Sequence, residues 1–228
     1  MTTILITGAN RGIGLEFVKQ YAAEGADIIA CCREPNKAEA LNALVKTARN
    51  VRVAALDVSD AKSVAALKEA LGATAIDILI NNAGVGSRDS AKGLIDSDAW
   101  LKIFAVNSVA PVAVASALHD NLKSGHDRKL VTITSQLGSI ANHGGGAFAY
   151  HASKAAVNSF MVGLAKAWAK DGIAVGIFHP GWVQTDMGGE SAPVTPTQSV
   201  TGLRARIAEL SMTNSGTFRD YAGKALPW

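Results

Sequence analysis

The sequence predicts a three-layer α/β domain in which helices cover both faces of a doubly wound parallel sheet. Short runs rich in Ile, Val and Leu alternate along the chain with Ala-, Leu- and Lys-rich runs of helical length, which is the pattern of repeated strand–helix units. The apolar runs are continuous, as is typical of parallel strands that are buried on both faces. A glycine-rich turn follows the first run directly.

Six strands and five helices account for this alternation. The predicted strands are residues 3–7, 27–32, 52–56, 76–80, 130–134 and 174–178. The predicted helices are residues 13–24, 35–47, 60–71, 100–121 and 150–171. Residues 181–201 interrupt the alternation because they are rich in Gly, Pro, Ser and Thr, and they predict a substrate loop at about residues 186–201. Nothing resembles a linker, so we expect a single dinucleotide-binding catalytic domain over residues 1–228.

Composition excludes several classes of protein. The 228 residues are 48% hydrophobic and 18% charged, enough to bury a full core in one domain. The net charge of +3 comes from scattered Lys and Arg, without the clustered basic face of a nucleic-acid-binding protein. Cys31 and Cys32 are adjacent in an apolar run, which indicates buried strand residues in a reducing compartment. We expect no metal site, no nucleic-acid partner and a cytoplasmic protein.

The amino terminus shows no signal-peptide pattern. The longest mainly apolar stretch, residues 104–118, is interrupted by Asn107, Ser108 and Pro111. It is shorter than the ~20 residues of a membrane span, so we interpret it as a buried or interface helix and expect no membrane association.

The first predicted strand leads into the turn Thr7-Gly8-Ala9-Asn10-Arg11-Gly12-Ile13-Gly14 and then into a helix. Gly8 permits a tight turn, Gly12 lets the backbone approach a diphosphate, and Gly14 allows the helix and strand to pack closely. The helix N-terminus offers free N–H groups to phosphate. A glycine-rich turn alone can be merely a turn. Its position between a strand and a helix favours a dinucleotide site in a Rossmann-type sheet.

The spacing of this turn resembles the Thr-Gly-x-x-x-Gly-x-Gly pattern of the classical short-chain dehydrogenase/reductase family. Later motifs agree with that family in order and spacing up to about Met187. They are Asp57-Val58, Asn81-Asn82-Ala83-Gly84, Asn107, Ser135, Tyr150-x-x-x-Lys154 and Pro180-Gly181. The resemblance implies an oxidoreductase that transfers a hydride between a nicotinamide cofactor and a carbonyl or secondary alcohol.

The end of the second predicted strand indicates which nicotinamide cofactor is preferred, because the adenosine ribose lies there in such folds. The strand ends Cys31-Cys32-Arg33, without an acid that would bind a ribose 2′-hydroxyl. Arg33 can pair with a 2′-phosphate, and Arg11 could supply a second positive charge. We therefore predict NADP(H) in preference to NAD(H). The alternative is that Arg33 is a solvated residue at the start of a loop, beside the opposing charge of Glu34.

The family resemblance assigns further cofactor contacts. It implies that Asp57 binds the adenine amino group, that residues 82–84 line the adenosine ribose, and that Val183 and Thr185 bind the nicotinamide carboxamide. The complete predicted set is Gly8, Asn10, Arg11, Gly12, Ile13, Gly14, Arg33, Asp57, Val58, Asn82, Ala83, Gly84, Tyr150, Lys154, Pro180, Gly181, Val183 and Thr185.

Tyr150 and Lys154 are four residues apart in a predicted helix, so their side chains share one face. A tyrosine titrates near ~10, and a nearby ammonium is expected to move its pKa toward neutrality, where proton exchange is efficient. Such a pair is commonly a surface helix pair, but the surrounding motifs favour catalysis. Ser135 follows a strand directly, where α/β sheets place ligand-contacting groups, and its hydroxyl can donate to a substrate oxygen.

The resemblance supplies the remaining catalytic roles. It implies that Ser135 and Tyr150 hold the substrate oxygen and that Lys154 also bonds the nicotinamide ribose. It further implies that Asn107 holds a water in a proton path to solvent. As an amide in an apolar segment, Asn107 also needs hydrogen-bond partners.

A finer resemblance is to the C-factor-like and sniffer-like carbonyl reductases. It rests on residues 180–189, 192–196 and 220–228. The residues expected to bound the substrate are 136–142, Trp182, Met187 and the loop from Gly188 onward, and most of them are small, apolar or aromatic. These residues suggest a small apolar or aromatic ketone or aldehyde as substrate. Because that group includes members with signalling roles, the alternative is an NADP(H)-binding regulatory protein with incidental turnover. Family members usually pair through helices equivalent to residues 100–121 and 150–171, so we expect a homodimer or homotetramer.

Overall fold

The computed structural model describes residues 2–87 and 95–228, and within them seven strands form one parallel sheet. The strands are β1 (Thr3–Thr7), β2 (Asp27–Cys32), β3 (Val51–Ala55), β4 (Ile78–Asn81), β5 (Lys129–Ile133), β6 (Ala174–His179) and β7 (Phe218–Asp220). Their order is β3-β2-β1-β4-β5-β6-β7. The order reverses between β1 and β4, which is where doubly wound sheets bind ligands at their carboxyl ends. The predicted Rossmann-type fold is confirmed.

The described helices connect these strands on both faces of the sheet. They are α1 (Gly12–Ala23), α2 (Glu39–Val45), α3 (Ala61–Leu71), α4 (Ser97–Phe104), α5 (Ala110–Ala117), α6 (His119–Lys123), α7 (Phe148–Ala167) and α8 (Pro196–Glu209). A π-helical segment, Ala105–Val109, joins α4 to α5, and a short 3₁₀ turn, Gln136–Gly138, follows β5. The predicted helix over residues 100–121 is therefore the run of α4, the π-helical segment, α5 and part of α6.

The core has two halves, one on each face of the sheet, because alternate residues of a strand point to opposite faces. Ile4 and Ile6 of β1 pack with side chains of α1 and α8. Leu5 packs on the other face with side chains of α3, α5 and α7. Cys32 packs on the same face of the sheet as Ile4 and Ile6, and Cys31 packs on the face of Leu5. Both cysteines are free and buried, as predicted.

Two elements were not predicted, α8 and β7, and α8 shortens the loop expected at residues 186–201. Thr195 Oγ1 accepts a hydrogen bond of 3.1 Å from the backbone N–H of Gln198, and the Gln198 side chain accepts one of 3.0 Å from the backbone N–H of Thr195. This reciprocal cap, with Pro196 at the first helical position, starts a helix inside a segment of loop-like composition. The irregular segment therefore ends at Thr195.

Among the described residues, one helical segment, Ser97–Ala117, is long and apolar enough to cross a membrane by length and composition alone. It is longer than the stretch 104–118 judged from sequence, because α4 extends the helix to Ser97. Such a segment is weak evidence for a span, since core helices meet the same criteria. Here the buried side chains of Asn107 and Ser108 hydrogen-bond to Ser153 of α7, which fits a helix packed within the domain.

The cap of α8 gives a test of the fold at the end of the loop. We expect Thr195→Ala to lower the free energy of unfolding by ~1 kcal/mol, because it leaves an N-terminal N–H of the helix without its acceptor. Thr195→Ser keeps a hydroxyl and is the matched control. Urea denaturation measures both, and an alanine variant as stable as the wild type would contradict the cap.

Candidate active site

The carboxyl ends of β1 and β4 are held together by Thr7 and Asn82. Thr7 Oγ1 accepts hydrogen bonds of 3.0 Å from the backbone N–H groups of both Asn82 and Ala83. Asn82 Nδ2 donates to the carbonyl oxygens of Thr7 at 2.9 Å and Gly8 at 3.1 Å. These bonds fix the glycine-rich turn against the segment that follows β4, so both lie along one edge of the sheet.

Two glycines of the turn are required by close contacts. Gly8 has a φ of +65°, and a Cβ on it would lie 2.9 Å from Ala83 Cα. A Cβ on Gly14 would lie 2.2 Å from the carbonyl oxygen of Gly8. Any side chain at either position would displace backbone, so the turn can adopt this shape only with glycine.

The N-terminus of α1 meets the requirements of a phosphate site. Arg11 is its N-cap residue and makes no side-chain cap, and the first turn contains no acidic residue. The N–H groups of that turn are therefore free to donate to an anion, and the helix dipole favours negative charge there. This cradle, beside glycines at each close approach, fits the diphosphate of a dinucleotide.

A cleft follows the carboxyl edge of the sheet from Arg33 to Lys154. The predicted cofactor residues that line it are Gly8, Asn10, Arg11, Gly12, Ile13, Gly14, Arg33, Asp57, Val58, Asn82, Ala83, Gly84, Tyr150, Lys154, Pro180 and Thr185. Gly181 and Val183 are not among the lining residues. Met187, predicted from sequence to bound the substrate, also lines the cleft. Sequence reasoning missed other lining residues, namely Cys32, Leu56, Val85, Val106, Ile133, Thr134 and Asp186.

Charged residues mark the end of the cleft near β2. Asp57 accepts hydrogen bonds from the Ser59 hydroxyl at 2.7 Å and the Ser59 N–H at 2.9 Å, and these bonds lower the pKa of the Asp57 carboxyl. Arg33 is exposed at the end of β2. The guanidinium of Arg11 lies 2.6 Å from the Asp186 carboxylate. The second positive charge predicted from sequence is therefore paired within the protein, a long-range contact that no local pattern signals.

Tyr150 and Lys154 line the other end of the cleft, and Ser135 lies beside Tyr150 without being among the lining residues. Ser135 lies two residues after the end of β5. Its Oγ accepts a hydrogen bond of 3.1 Å from the Leu137 N–H, and its side chain lies close enough to Tyr150 on α7 to oppose the rise of the tyrosine pKa. Lys154 Nζ lies 5.7 Å from the centroid of the Tyr150 ring and donates a hydrogen bond of 3.1 Å to the carbonyl oxygen of Ile133. The structure thus brings together the three side chains that the sequence motifs singled out.

Burial controls the protonation of this group. It raises the pKa of Tyr150, against a smaller opposing effect of the Ser135 hydrogen bond, and it lowers the pKa of Lys154 to about 8. The sequence-based expectation that Lys154 moves the pKa of Tyr150 toward neutrality is wrong for the chain alone. Burial removes the phenolate of Tyr150 from water and so disfavours it, and the same burial disfavours the charged form of Lys154.

Asn107 lies in the π-helical segment and is almost fully buried. Its Oδ1 accepts from the Val85 N–H, and its Nδ2 donates to the Val85 carbonyl, both at 2.8 Å. Nδ2 also donates to Ser153 Oγ at 3.1 Å, and that hydroxyl donates to the Tyr150 carbonyl at 2.8 Å. Asn107 therefore joins the segment after β4 to the helix that carries Tyr150. π-Helical turns frequently occur at functional sites.

The chain matches the family model described as short chain dehydrogenase over residues 2–194. It is 40% identical over 154 residues to C-signal of Myxococcus xanthus, a match that covers 67% of this chain and 93% of that protein. The NADPH-bound carbonyl reductase from chicken fatty liver is a structural neighbour with a TM-score of 0.93 and 31% identity, covering 100% of this chain and 99% of that one. The carbonyl reductase Sniffer of D. melanogaster has a TM-score of 0.90 and 31% identity over 100% of both chains.

The buried lysine makes stability depend on pH in a predictable direction. Since the pKa of Lys154 is lowered from 10.5 to about 8 on folding, the unfolded chain binds more protons between these values, and the contribution of Lys154 to stability rises with pH there. We expect the free energy of unfolding of the cofactor-free wild type, relative to Lys154→Met, to increase by roughly 2 kcal/mol between pH 7 and 10. Urea denaturation at both pH values measures this difference.

Lys166→Met is the matched control, because Lys166 is exposed on the same helix. Its stability difference from the wild type should change little over this pH range. A Lys154→Met difference that is equally constant would show that the ammonium is not desolvated.

Proposed function

This chain belongs to the short-chain dehydrogenase/reductase family, and we propose that it reduces small apolar or aromatic ketones and aldehydes to alcohols at Ser135, Tyr150 and Lys154. It is an NADP(H)-dependent oxidoreductase. The observation that carries the proposed substrate chemistry is the meeting of two hydroxyls and a buried amine at the end of a cleft whose other end fits a dinucleotide.

The residues along the cleft have the chemistry to hold NADP(H). The free N–H groups at the start of α1 would bind the diphosphate, and Arg33 would pair with the 2′-phosphate. Asp57, whose pKa is lowered by Ser59, would accept from the adenine amino group. NADPH, when bound, supplies the hydride that reduces the carbonyl carbon.

Tyr150 is the proposed proton donor. Its raised pKa keeps the phenol protonated at neutral pH, which is the form needed to donate to a carbonyl oxygen. Ser135, which lies beside Tyr150, donates to the same oxygen as negative charge develops on it. The phenolate left on Tyr150 is then stabilised by the nearby charge of protonated Lys154.

Lys154 is suited to pass a proton onward, because a pKa of about 8 places its two protonation states close in free energy near neutral pH. Asn107 is proposed to hold the water that continues this path to solvent. Its side chain is fixed by Val85 and Ser153, so the segment around it is rigidly placed beside Lys154.

Apolar side chains near the catalytic hydroxyls support an apolar substrate. Large hydrophobic residues that remain exposed in the segments next to Ser135 and the cleft are Val85, Leu137, Ile140, Trp182 and Met187. Exposed apolar groups clustered around a site indicate a ligand that covers them. Residues 136–142 and 182–187 contain no Arg or Lys, which argues against a carboxylate or phosphate on the substrate.

The similarity to C-signal supports a second candidate, an NADP(H)-binding regulatory protein with incidental turnover. The placement of Asn107, Ser135, Tyr150 and Lys154 favours the enzyme, because a binding protein needs no paired hydroxyls beside a buried amine. We also propose one catalytic domain that assembles as a homodimer or homotetramer. Exposed Leu101, Val109 and Phe160 on α4, the π-helical segment and α7 support this assembly.

The enzymatic proposal is tested by NADPH consumption with a panel of aldehydes, ketones, quinones and diketones. We expect Tyr150→Phe to lower kcat by about 10² or more, because the proton donor is lost, while NADPH still binds. Tyr21→Phe removes a hydroxyl outside the cleft and should retain activity. Wild-type protein that binds NADPH and reduces no compound of the panel would support the regulatory alternative instead.

Cofactor preference is tested at the end of β2. We expect Arg33→Gln to weaken NADPH binding by about tenfold, because a charge-assisted hydrogen bond to the 2′-phosphate is lost, and to leave NADH binding unchanged. Arg52→Gln makes the same charge change on β3 outside the cleft and is the control. Dissociation constants from cofactor fluorescence provide the measurement, and an equal loss for both cofactors would contradict this role of Arg33.

A further inference from the structure

Asn158 lies one helical turn beyond Lys154 on α7, and its side chain is only 2% exposed. Its Oδ1 accepts a hydrogen bond of 2.7 Å from Thr134 Oγ1, and its Nδ2 donates to the carbonyl oxygen of Gly138 at 3.5 Å. Thr134 immediately precedes Ser135, and Gly138 ends the 3₁₀ turn that follows it. One buried amide on the helix of Tyr150 therefore contacts the chain on both sides of Ser135.

The turn after Ser135 packs directly on the backbone of α7. A Cβ on Gly138 would lie 2.8 Å from the carbonyl carbon of Lys154. Before Ser135, Lys154 Nζ bonds to the carbonyl oxygen of Ile133 at 3.1 Å. Ser135 is thus held between attachments to the helix that carries Tyr150, and these attachments set the distance between the two hydroxyls.

We propose that Asn158 is a positioning residue that, through Thr134, holds the Ser135 hydroxyl opposite the Tyr150 hydroxyl. The inference rests on the proposed function, in which both hydroxyls bind one substrate oxygen. Two donors can bind one oxygen in the transition state only if their separation is fixed, and small displacements of such groups are costly to the rate. The bond from Thr134 is short and fully buried, so water cannot replace it if the amide is removed.

The strand β5, which ends just before Thr134, provides a matched control. Thr132 lies two residues before Thr134 on β5, is 1% exposed, and its Oγ1 donates to Met161 Sδ on α7 at 3.0 Å. Thr132→Val and Thr134→Val therefore delete the same group two residues apart, in each case from a buried contact with α7. They differ in that Thr134 adjoins Ser135 and bonds to Asn158.

The experiment measures kcat, KM, NADPH affinity and urea stability for the full chain and its variants. We expect Asn158→Leu and Thr134→Val to lower kcat by about tenfold or more with little change in NADPH affinity. Thr134→Ser keeps the hydroxyl that bonds to Asn158 and should be clearly faster than Thr134→Val, whereas Thr132→Val should lose stability and keep kcat. Because Asn158→Leu and Thr134→Val remove the same bond, the double variant should be no slower than Asn158→Leu alone.

Equal kcat values for Thr132→Val and Thr134→Val, or an unchanged kcat in Asn158→Leu, would overturn the positioning role. If Asn158→Leu does not fold, the comparison of Thr134→Val with Thr134→Ser and Thr132→Val decides the question. Tyr150→Phe and Ser135→Ala are measured in parallel. Activity that survives both of these overturns the proposed function, whereas loss in both with full activity in the Thr134 and Asn158 variants overturns the positioning role alone.

Discussion

The gap between β1 and β4 at the carboxyl edge of the sheet is the feature on which the other parts of the site depend. Chain connections leave the sheet in opposite directions there, and a crevice opens unless something spans it. Thr7 and Asn82 span it with four hydrogen bonds of 2.9–3.1 Å. Because these side-chain bonds hold the glycine turn against the segment after β4, the residues at the start of α1 lie along the cleft.

The opposite end of the cleft is held by contacts with α7. Lys154 bonds to Ile133 of β5, Asn158 to Thr134, and Asn107 to both Val85 and Ser153. Each contact is a buried polar group that would be costly to leave unpaired. The helix α7 therefore positions the groups around the reacting oxygen relative to one another. The burial that makes these bonds strong also lowers the pKa of Lys154.

Sequence periodicity predicted the central strands well, because β1, β2 and β6 are continuous apolar runs whose burial on both faces leaves a clear pattern. It missed α8, since residues 195–198 have loop composition and the cap depends on reciprocal side-chain bonds. It missed β7, a strand of three residues with one buried side chain. At the site, motif spacing located Tyr150 and Lys154, but the direction of the tyrosine pKa depended on how deeply the fold buries it.

Local sequence patterns cannot predict contacts between residues that are far apart in the chain. The ion pair between Arg11 and Asp186 is such a contact, and it bears on which cofactor the cleft prefers. The two side chains are 175 positions apart in sequence and about three quarters exposed. An exposed pair of this kind is worth little free energy, so it leaves Arg11 available to an incoming phosphate at small cost. The negative charge of Asp186 nonetheless offsets the field that Arg11 contributes to the cleft. We therefore propose that selectivity for a 2′-phosphate rests more heavily on Arg33, which is exposed at the end of β2 and whose charge acts on the carboxylates of Asp57 and Glu34.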